Sequence, residues 1–99
     1  MKIRVTEDAA ADLEHIQSFI VRDDGPAAER VIEQIRITIR LLGDWPRAGH
    51  DGIVAGTYDK AVPRTPYVIV YRIDVAETEE EWIVLRVPHA AQERSSFQY

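Results

Sequence analysis

Two short runs, "YVIVYRI" (Tyr67–Ile73) and "WIVLRV" (Trp82–Val87), constrain the fold more than any other part of the chain. Both are rich in β-branched and aromatic residues, which suit a pleated surface. Both also lose the apolar–polar alternation of a half-exposed strand over their central residues. Successive side chains of a strand point to opposite faces, so both faces of such strands must be at least partly covered. The runs read as strands Pro66–Val75 and Trp82–Val87, joined by the acidic turn "AETEEE" into an antiparallel pair. Upstream, Gly52–Val62 reads as another strand, bulged at Gly56, and "KIRV" (Lys2–Val5) alternates as a short half-buried strand.

The cover for this sheet comes from the first half of the chain. Thr6 is a good N-cap, with Glu7 and Asp8 in the first turn, where the helix dipole favours negative charge. Ala9, Leu13, Ile16 and Ile20 recur on one helical face, and this helix is expected to end near Arg22. "RDDGPAAE" is a compact stop and restart, in which Asp24 or Gly25 caps a second helix and Pro26 suits its first turn. Ala28, Val31, Ile35, Ile39 and Leu42 form its stripe, widened by Ile32, with Gly43 as the residue after the end and Pro46 preventing continuation. The connection is short, so the helices form an antiparallel hairpin. The expected fold class is α+β: an N-terminal strand and a helical hairpin packed on a curved, mainly antiparallel sheet, in the order β-α-α-β-β-β. Trp45 in "DWPR" is expected as a lid over the edge of the core, and the face of Trp82 is left open.

Ninety-nine residues with 45% apolar and 29% charged residues describe one globular domain, residues 1–99. The absence of cysteine excludes disulfides and thiolate chemistry. "MKIRVTEDAAADL" has no apolar core of a signal peptide, and no apolar run is long enough for a membrane span, so a cytoplasmic location is expected with no membrane partner. The net charge of −5 argues against generic polyanion binding. Lys2 and Lys60 are the only lysines among twelve basic residues, so any basic patch is built from arginine and favours flat, bidentate contacts.

Metal and cofactor chemistry find no support. His15, His50 and His89 lack ligand spacing, "ETEEE" lacks a calcium-loop pattern, and "AGHDG" is not a phosphate-binding loop, so no metal and no cofactor are expected. His15 on the polar side of the first helix and His50 in the glycine-containing loop read as solvated. His89, just past the last strand in "RVPHAAQ", reads as a strand-end residue that caps carbonyls or packs on Trp82.

The ordered segments "DLEHIQSFI", "GPAAERVIEQI", "GTYDKAVPRTPYVIVYRI" and "WIVLRVPHAAQE" resemble the RelE/ParE superfamily of type II toxin–antitoxin toxins essentially end to end. The resemblance implies a toxin of plasmid-stabilisation type, neutralised by a cognate antitoxin and reaching operator DNA only through it. ParE-like members inhibit DNA gyrase by binding, whereas RelE-like members are ribosome-dependent mRNA endonucleases.

Metal-free RNA cleavage needs a base, an acid and cationic groups around the phosphate. The candidates are His89 as base or acid, with Arg72, Arg86 and Arg64 as phosphate clamps, and Tyr67 and Tyr71 to stack on a base or supply a hydroxyl. Alternation places Tyr67, Ile69, Tyr71 and Ile73 on one face and Val68, Val70 and Arg72 on the other, so these groups do not share one pocket without a bulge. In "AAQERSSF" the residues next to His89 are alanines, where the resemblance implies that nuclease members often carry a basic or tyrosine residue close to the histidine. The ParE-like branch is therefore preferred, with no assigned catalytic residue. Arg72, Arg86, Arg64 and His89 are the candidate contacts for antitoxin or target. The alternatives are the RelE-like nuclease, which would make the chain an enzyme, and an attenuated toxin that serves only in a repressor complex.

Overall fold

The computed structural model describes residues 2–75 and 77–92. Strand β1 (Lys2–Val5) leads into helices α1 (Glu7–Val21) and α2 (Gly25–Asp44), followed by β2 (His50–Asp51), β3 (Tyr58–Ala61), β4 (Val68–Val75) and β5 (Glu80–Arg86). The sheet order is β1-β5-β4-β3-β2. Strands β2 to β5 run antiparallel in sequence, while β1 closes the edge parallel to β5, with Ile3 opposite Trp82. This is the expected α+β architecture, with one parallel pair that the helical hairpin makes possible by returning the chain across the sheet. No helix among the described residues is long and apolar enough to cross a membrane.

Helix starts follow the local chemistry. The Thr6 hydroxyl accepts the Ala9 N–H at 3.1 Å and donates to the Leu85 carbonyl at 2.9 Å, so one side chain caps α1 and ties it to β5. Asp24, rather than Gly25, caps α2 by accepting the Ala27 N–H. Its buried stripe is Ala28, Ile32, Ile35, Thr38 and Leu42, with Val31 and Ile39 only partly buried. Thr38 tolerates burial because its hydroxyl donates to the Gln34 carbonyl one turn back.

Four expectations need correction. Residues 52–62 are not one bulged strand. Gly52 N–H donates to the Thr57 carbonyl, Thr57 returns two bonds to Val54, and Gly56 is left-handed, so a tight turn separates β2 from β3. This turn also places His50 in β2 instead of a loop. Gly43 does not end α2, which continues to Asp44; a Cβ at residue 43 would come within 2.9 Å of Ile3 Cδ1, so glycine here permits close packing on β1. Trp45 is not a lid. It caps α2 with 68% of its surface exposed.

The main core joins Ala9, Ile16, Ile35, Leu42, Ile69, Tyr71, Trp82, Val84 and Val87 between the helices and the sheet. Trp82 thus faces the helices, a burial that contributes about 2–3 kcal/mol. Val70, Ile83 and Leu85 form a smaller buried cluster. They alternate with the main-core residues of β4 and β5, so both faces of the central strands are covered as their apolar runs require.

Tyr71 locks the far end of this core. Its ring stacks on Tyr58 at 5.5 Å; its hydroxyl donates to the Pro46 carbonyl at 2.7 Å and accepts the Gly49 N–H at 3.2 Å. Burial raises the hydroxyl above the ordinary tyrosine pKa of 10.0, partly offset by the Gly49 N–H, and burial raises Tyr67 as well. A raised folded-state pKa gives stability that is complete below the unfolded value and lost as pH rises through the folded value. Urea midpoints are therefore expected to fall above about pH 10. Tyr71→Phe should lower stability at neutral pH by about 1–3 kcal/mol, because the Gly49 N–H is orphaned, and should make the alkaline fall shallower. An alkaline limb identical to that of the parent chain would show that Tyr71 does not contribute to it.

Candidate functional site

The ends of β4 and β5 meet α1 around a cleft of about 370 Å³. Its walls include Asp12, His15 and Phe19 from α1, Tyr67 before β4, and Arg86 and His89 at and after the end of β5. The backbone that builds it is laced across the strand ends. Val68 N–H donates to the Pro88 carbonyl and Ala90 N–H to the Pro66 carbonyl, at 3.0 and 2.7 Å.

A register shift lies between Val70, opposite Arg86, and Tyr71, opposite Val84, leaving Leu85 as the extra residue on β5. Such a bulge re-aims the strand beyond it. Arg86 then meets α1, where its Nε and NH2 groups donate to the two oxygens of Asp12 at 2.8 and 3.0 Å. Asp12 Oδ2 also accepts the Val87 N–H at 2.9 Å. One carboxylate therefore fixes both the guanidinium and the backbone leaving β5. Asp12 was legible in principle: it lies three residues after Ala9 and four before Ile16, on the face that packs down. An acidic residue on that face requires a buried or half-buried partner.

His89 is exposed. Its Nδ1 accepts the Ala91 N–H at 3.0 Å, its carbonyl accepts the Gln92 N–H, and its ring meets Tyr67 edge-on at 5.7 Å. It packs on Tyr67 and not on Trp82, which lies in the core. His15 is solvent-exposed as expected, yet it lines the same cleft, as does the 59% exposed Phe19. Residues 93–97 of the "AAQERSSF" run lie outside the described residues.

The four candidate residues do not converge. Arg86 and His89 share the cleft. Arg72 pairs with Asp74 at 3.1 Å in the second half of β4, out of phase with Ile69, Tyr71 and Ile73, so it faces away from the helices. The bulge does not bring it round. Tyr71 does not reach the cleft either, since its hydroxyl is bonded to Gly49 and Pro46 at the buried end of the core. No group of three or more His, Asp or Glu residues that could hold a metal occurs among the described residues.

Arg64 stands in a second place, the turn between β3 and β4. Val62 C=O accepts both the Thr65 N–H and the Thr65 hydroxyl, and Tyr67 N–H donates to that same hydroxyl. Arg64 has φ 63°. A side chain in this left-handed conformation costs about 1–2 kcal/mol, and glycine or asparagine is the usual occupant after a turn proline such as Pro63. Arg64 borders a groove of about 720 Å³ against the first half of α2.

Known proteins share this framework. Residues 3–94 match the family model described as the ParE toxin of the type II toxin–antitoxin system parDE. The protein Y4kP of Sinorhizobium fredii (strain NBRC 101917 / NGR234) is 33% identical over 92 residues, which covers 93% of this chain and 91% of that protein. Among solved structures, a chain of the chromosomal ParDE system from P. aeruginosa superimposes with a TM-score of 0.78 at 26% identity, covering 90% of this chain and 95% of that one. The YoeB/ParE toxin from Agrobacterium tumefaciens gives 0.62 at 25% identity, covering 90% and 98%. A chain of the RelBE2 toxin–antitoxin complex from Mycobacterium tuberculosis gives 0.63 at 24% identity, covering 89% and 95%, a likeness of fold alone. With the family model spanning nearly the whole chain and the β-α-α-β-β-β-β framework in place, the protein belongs to the ParE toxin family of type II toxin–antitoxin systems, within the RelE/ParE superfamily.

Proposed function

We propose that this ParE-family toxin acts by binding, with DNA gyrase as its target, and that a cognate antitoxin neutralises it by covering the helical hairpin and sheet. The observation that carries this reading is the commitment of Arg86 to Asp12 in a bidentate pair. A phosphate arriving beside His89 would have to displace a carboxylate held by three hydrogen bonds. Arg72, turned to the other face, offers no replacement. Support for binding comes from the hairpin, where Phe19, Val21, Ile37, Leu41 and Trp45 expose between 38% and 68% of their surfaces. Ile37, Leu41 and Trp45 recur every four residues and form an apolar stripe along α2, the kind of surface that partners cover. Arg72 and Arg64 are the more available contacts for carboxylates of the antitoxin, and operator DNA is reached only through that partner.

The test is supercoiling by purified gyrase in the presence of the toxin freed of its antitoxin. Dose-dependent inhibition is expected, and His89→Ala should inhibit within about twofold of the parent, because a group without catalytic work changes no chemical step. Loss of inhibition in His89→Ala at unchanged thermal stability would make His89 a target contact. An inert toxin on gyrase that cuts mRNA on ribosomes would move the protein to the nuclease branch.

A further inference from the structure

Three N–H donors converge where β5 ends. Arg86 Nε, Arg86 NH2 and the Val87 backbone N–H all point at the carboxylate of Asp12, at 2.8, 3.0 and 2.9 Å. An arginine fork with a backbone N–H beside it is a donor set for an oxyanion, and a phosphate offers it the same pair of oxygens as a carboxylate. The end of β5 is thus an occupied oxyanion site, and its occupant is the chain's own side chain.

The pair is not sealed in the core. The side chains of Arg86 and Asp12 keep 29% and 19% of their exposure, and both line the cleft of about 370 Å³. His15, Tyr67, His89 and Gln92 bring further hydrogen-bonding groups to its walls. Among the described residues that line the cleft, Asp12 is the one acid and Arg86 the one arginine. Their charges cancel. Without the carboxylate the same walls carry a net positive charge, in a chain whose net charge is −5.

The helix has no need of an acid at this position. Thr6 caps α1, and Glu7 and Asp8 already occupy its first turn. Packing does not require an ion pair either, since apolar residues of similar volume often serve as well. What the carboxylate does that an apolar residue cannot is hold the place of an anion.

We propose that the end of β5 is a phosphate site held shut by Asp12, so that the native cleft rejects phosphate groups and loss of this one carboxylate opens it. The proposal rests on the reading above only in the commitment of Arg86 to Asp12, and it does not depend on gyrase as target. Two effects keep the site shut. The carboxylate satisfies the three donors, and its charge repels a second anion beside it. Removal of a like charge about 4 Å away corresponds to at least about tenfold in affinity.

The test titrates inorganic phosphate and methyl phosphate, at constant ionic strength, into the full chain and its Asp12→Asn and Asp12→Ala variants. Amide and imidazole shifts locate binding, and melting temperatures are measured in parallel. The parent is expected to show no saturable shift at the Val87 amide. Asp12→Asn, whose oxygen can still serve Val87, gives up its hold on the Arg86 fork and should bind phosphate at least about tenfold more tightly than the parent. Asp12→Ala releases all three donors and should bind more tightly still. Phosphate should also raise its melting temperature more than the parent's, because a ligand that binds only the folded state stabilises it. Asp12→Asn carries the test if Asp12→Ala does not fold. Adding Arg86→Gln to Asp12→Asn should abolish the gain. Methyl phosphate separates the two sources of the group: binding equal to that of inorganic phosphate gives the site to phosphate esters, and binding of inorganic phosphate alone gives it to the free ion. Equal affinity in the parent and the Asp12 variants, no binding to either variant, or binding that survives Arg86→Gln would each overturn the proposal. Failure of gyrase inhibition by the parent would leave these results untouched and would count only against the target.

Discussion

Asp12→Ala is expected to lower stability by about 2–3 kcal/mol, the cost of removing a charged acceptor that serves several donors. Three bonds are lost at once, two from Arg86 and one from the Val87 N–H. The side chains of Arg86 and Asp12 retain 29% and 19% of their exposure, so solvent screens part of the ionic component. The backbone bond is less forgiving, because Val87 is buried and its N–H makes no other hydrogen bond among the described residues. In a domain of this size the loss should lower the melting temperature by roughly 10–15 °C. Asp12→Asn keeps one acceptor for Val87 and should recover part of the loss. Arg86→Gln should cost less than Asp12→Ala, since it leaves the carboxylate bound to the backbone. Equal losses in the two variants would place the whole effect in the ion pair and none in the backbone anchor.

Sequence pattern defines the strands beside Asp12 far better than it defines the contacts Asp12 makes. The apolar runs around Tyr67–Ile73 and Trp82–Val87 define the two central strands because continuous apolarity forces cover on both faces, as Ile69 with Trp82 and Val70 with Ile83 demonstrate. Thr6 and Asp24 mark helix starts because each supplies an oxygen to an otherwise orphaned N–H. Glycines were less legible, since the same residue ends helices, opens turns and allows close approach. Gly43 does the last of these, and only the distance to Ile3 distinguishes it from a terminator.

The site was harder to read for a related reason. Alternation along β4 correctly separates Arg72 from Tyr67, but no local pattern announces a bulge on β5 or the sharing of Asp12 between a side chain and a backbone N–H. The exposure of Trp45 is not legible from its position, because an aromatic residue after a helix fits a lid and a partner contact equally well, and burial depends on what lies opposite. The grouping of Arg30 with Arg64 is of the same kind. Thirty-four residues separate them in the chain, and the turn brings them to one groove.

Gly49→Ala is expected to cost about 2–3 kcal/mol, the upper part of the range for overpacking. An added Cβ would lie 2.6 Å from the Tyr71 hydroxyl, 2.9 Å from the Asp59 carbonyl oxygen and 3.0 Å from Tyr71 Cε1. Tyr71 cannot simply swing away, because its ring is fully buried, stacks on Tyr58 and holds the Pro46 carbonyl. The loop must move instead, which weakens the Gly49 N–H bond to the same hydroxyl and disturbs the pairing of His50 with Asp59. Gly56→Ala provides the contrast. Nothing lies within 4 Å of a Cβ there, so its cost comes only from φ 83° and should remain near 1–2 kcal/mol. The two variants can be separated by adding Tyr71→Phe to each. Removal of the hydroxyl relieves the closest contact at residue 49 and should make the double loss smaller than the sum, whereas the Gly56 pair should be additive. Additivity in both pairs would mean that the Tyr71 hydroxyl is not what restricts residue 49 and that the Asp59 backbone carries the constraint alone.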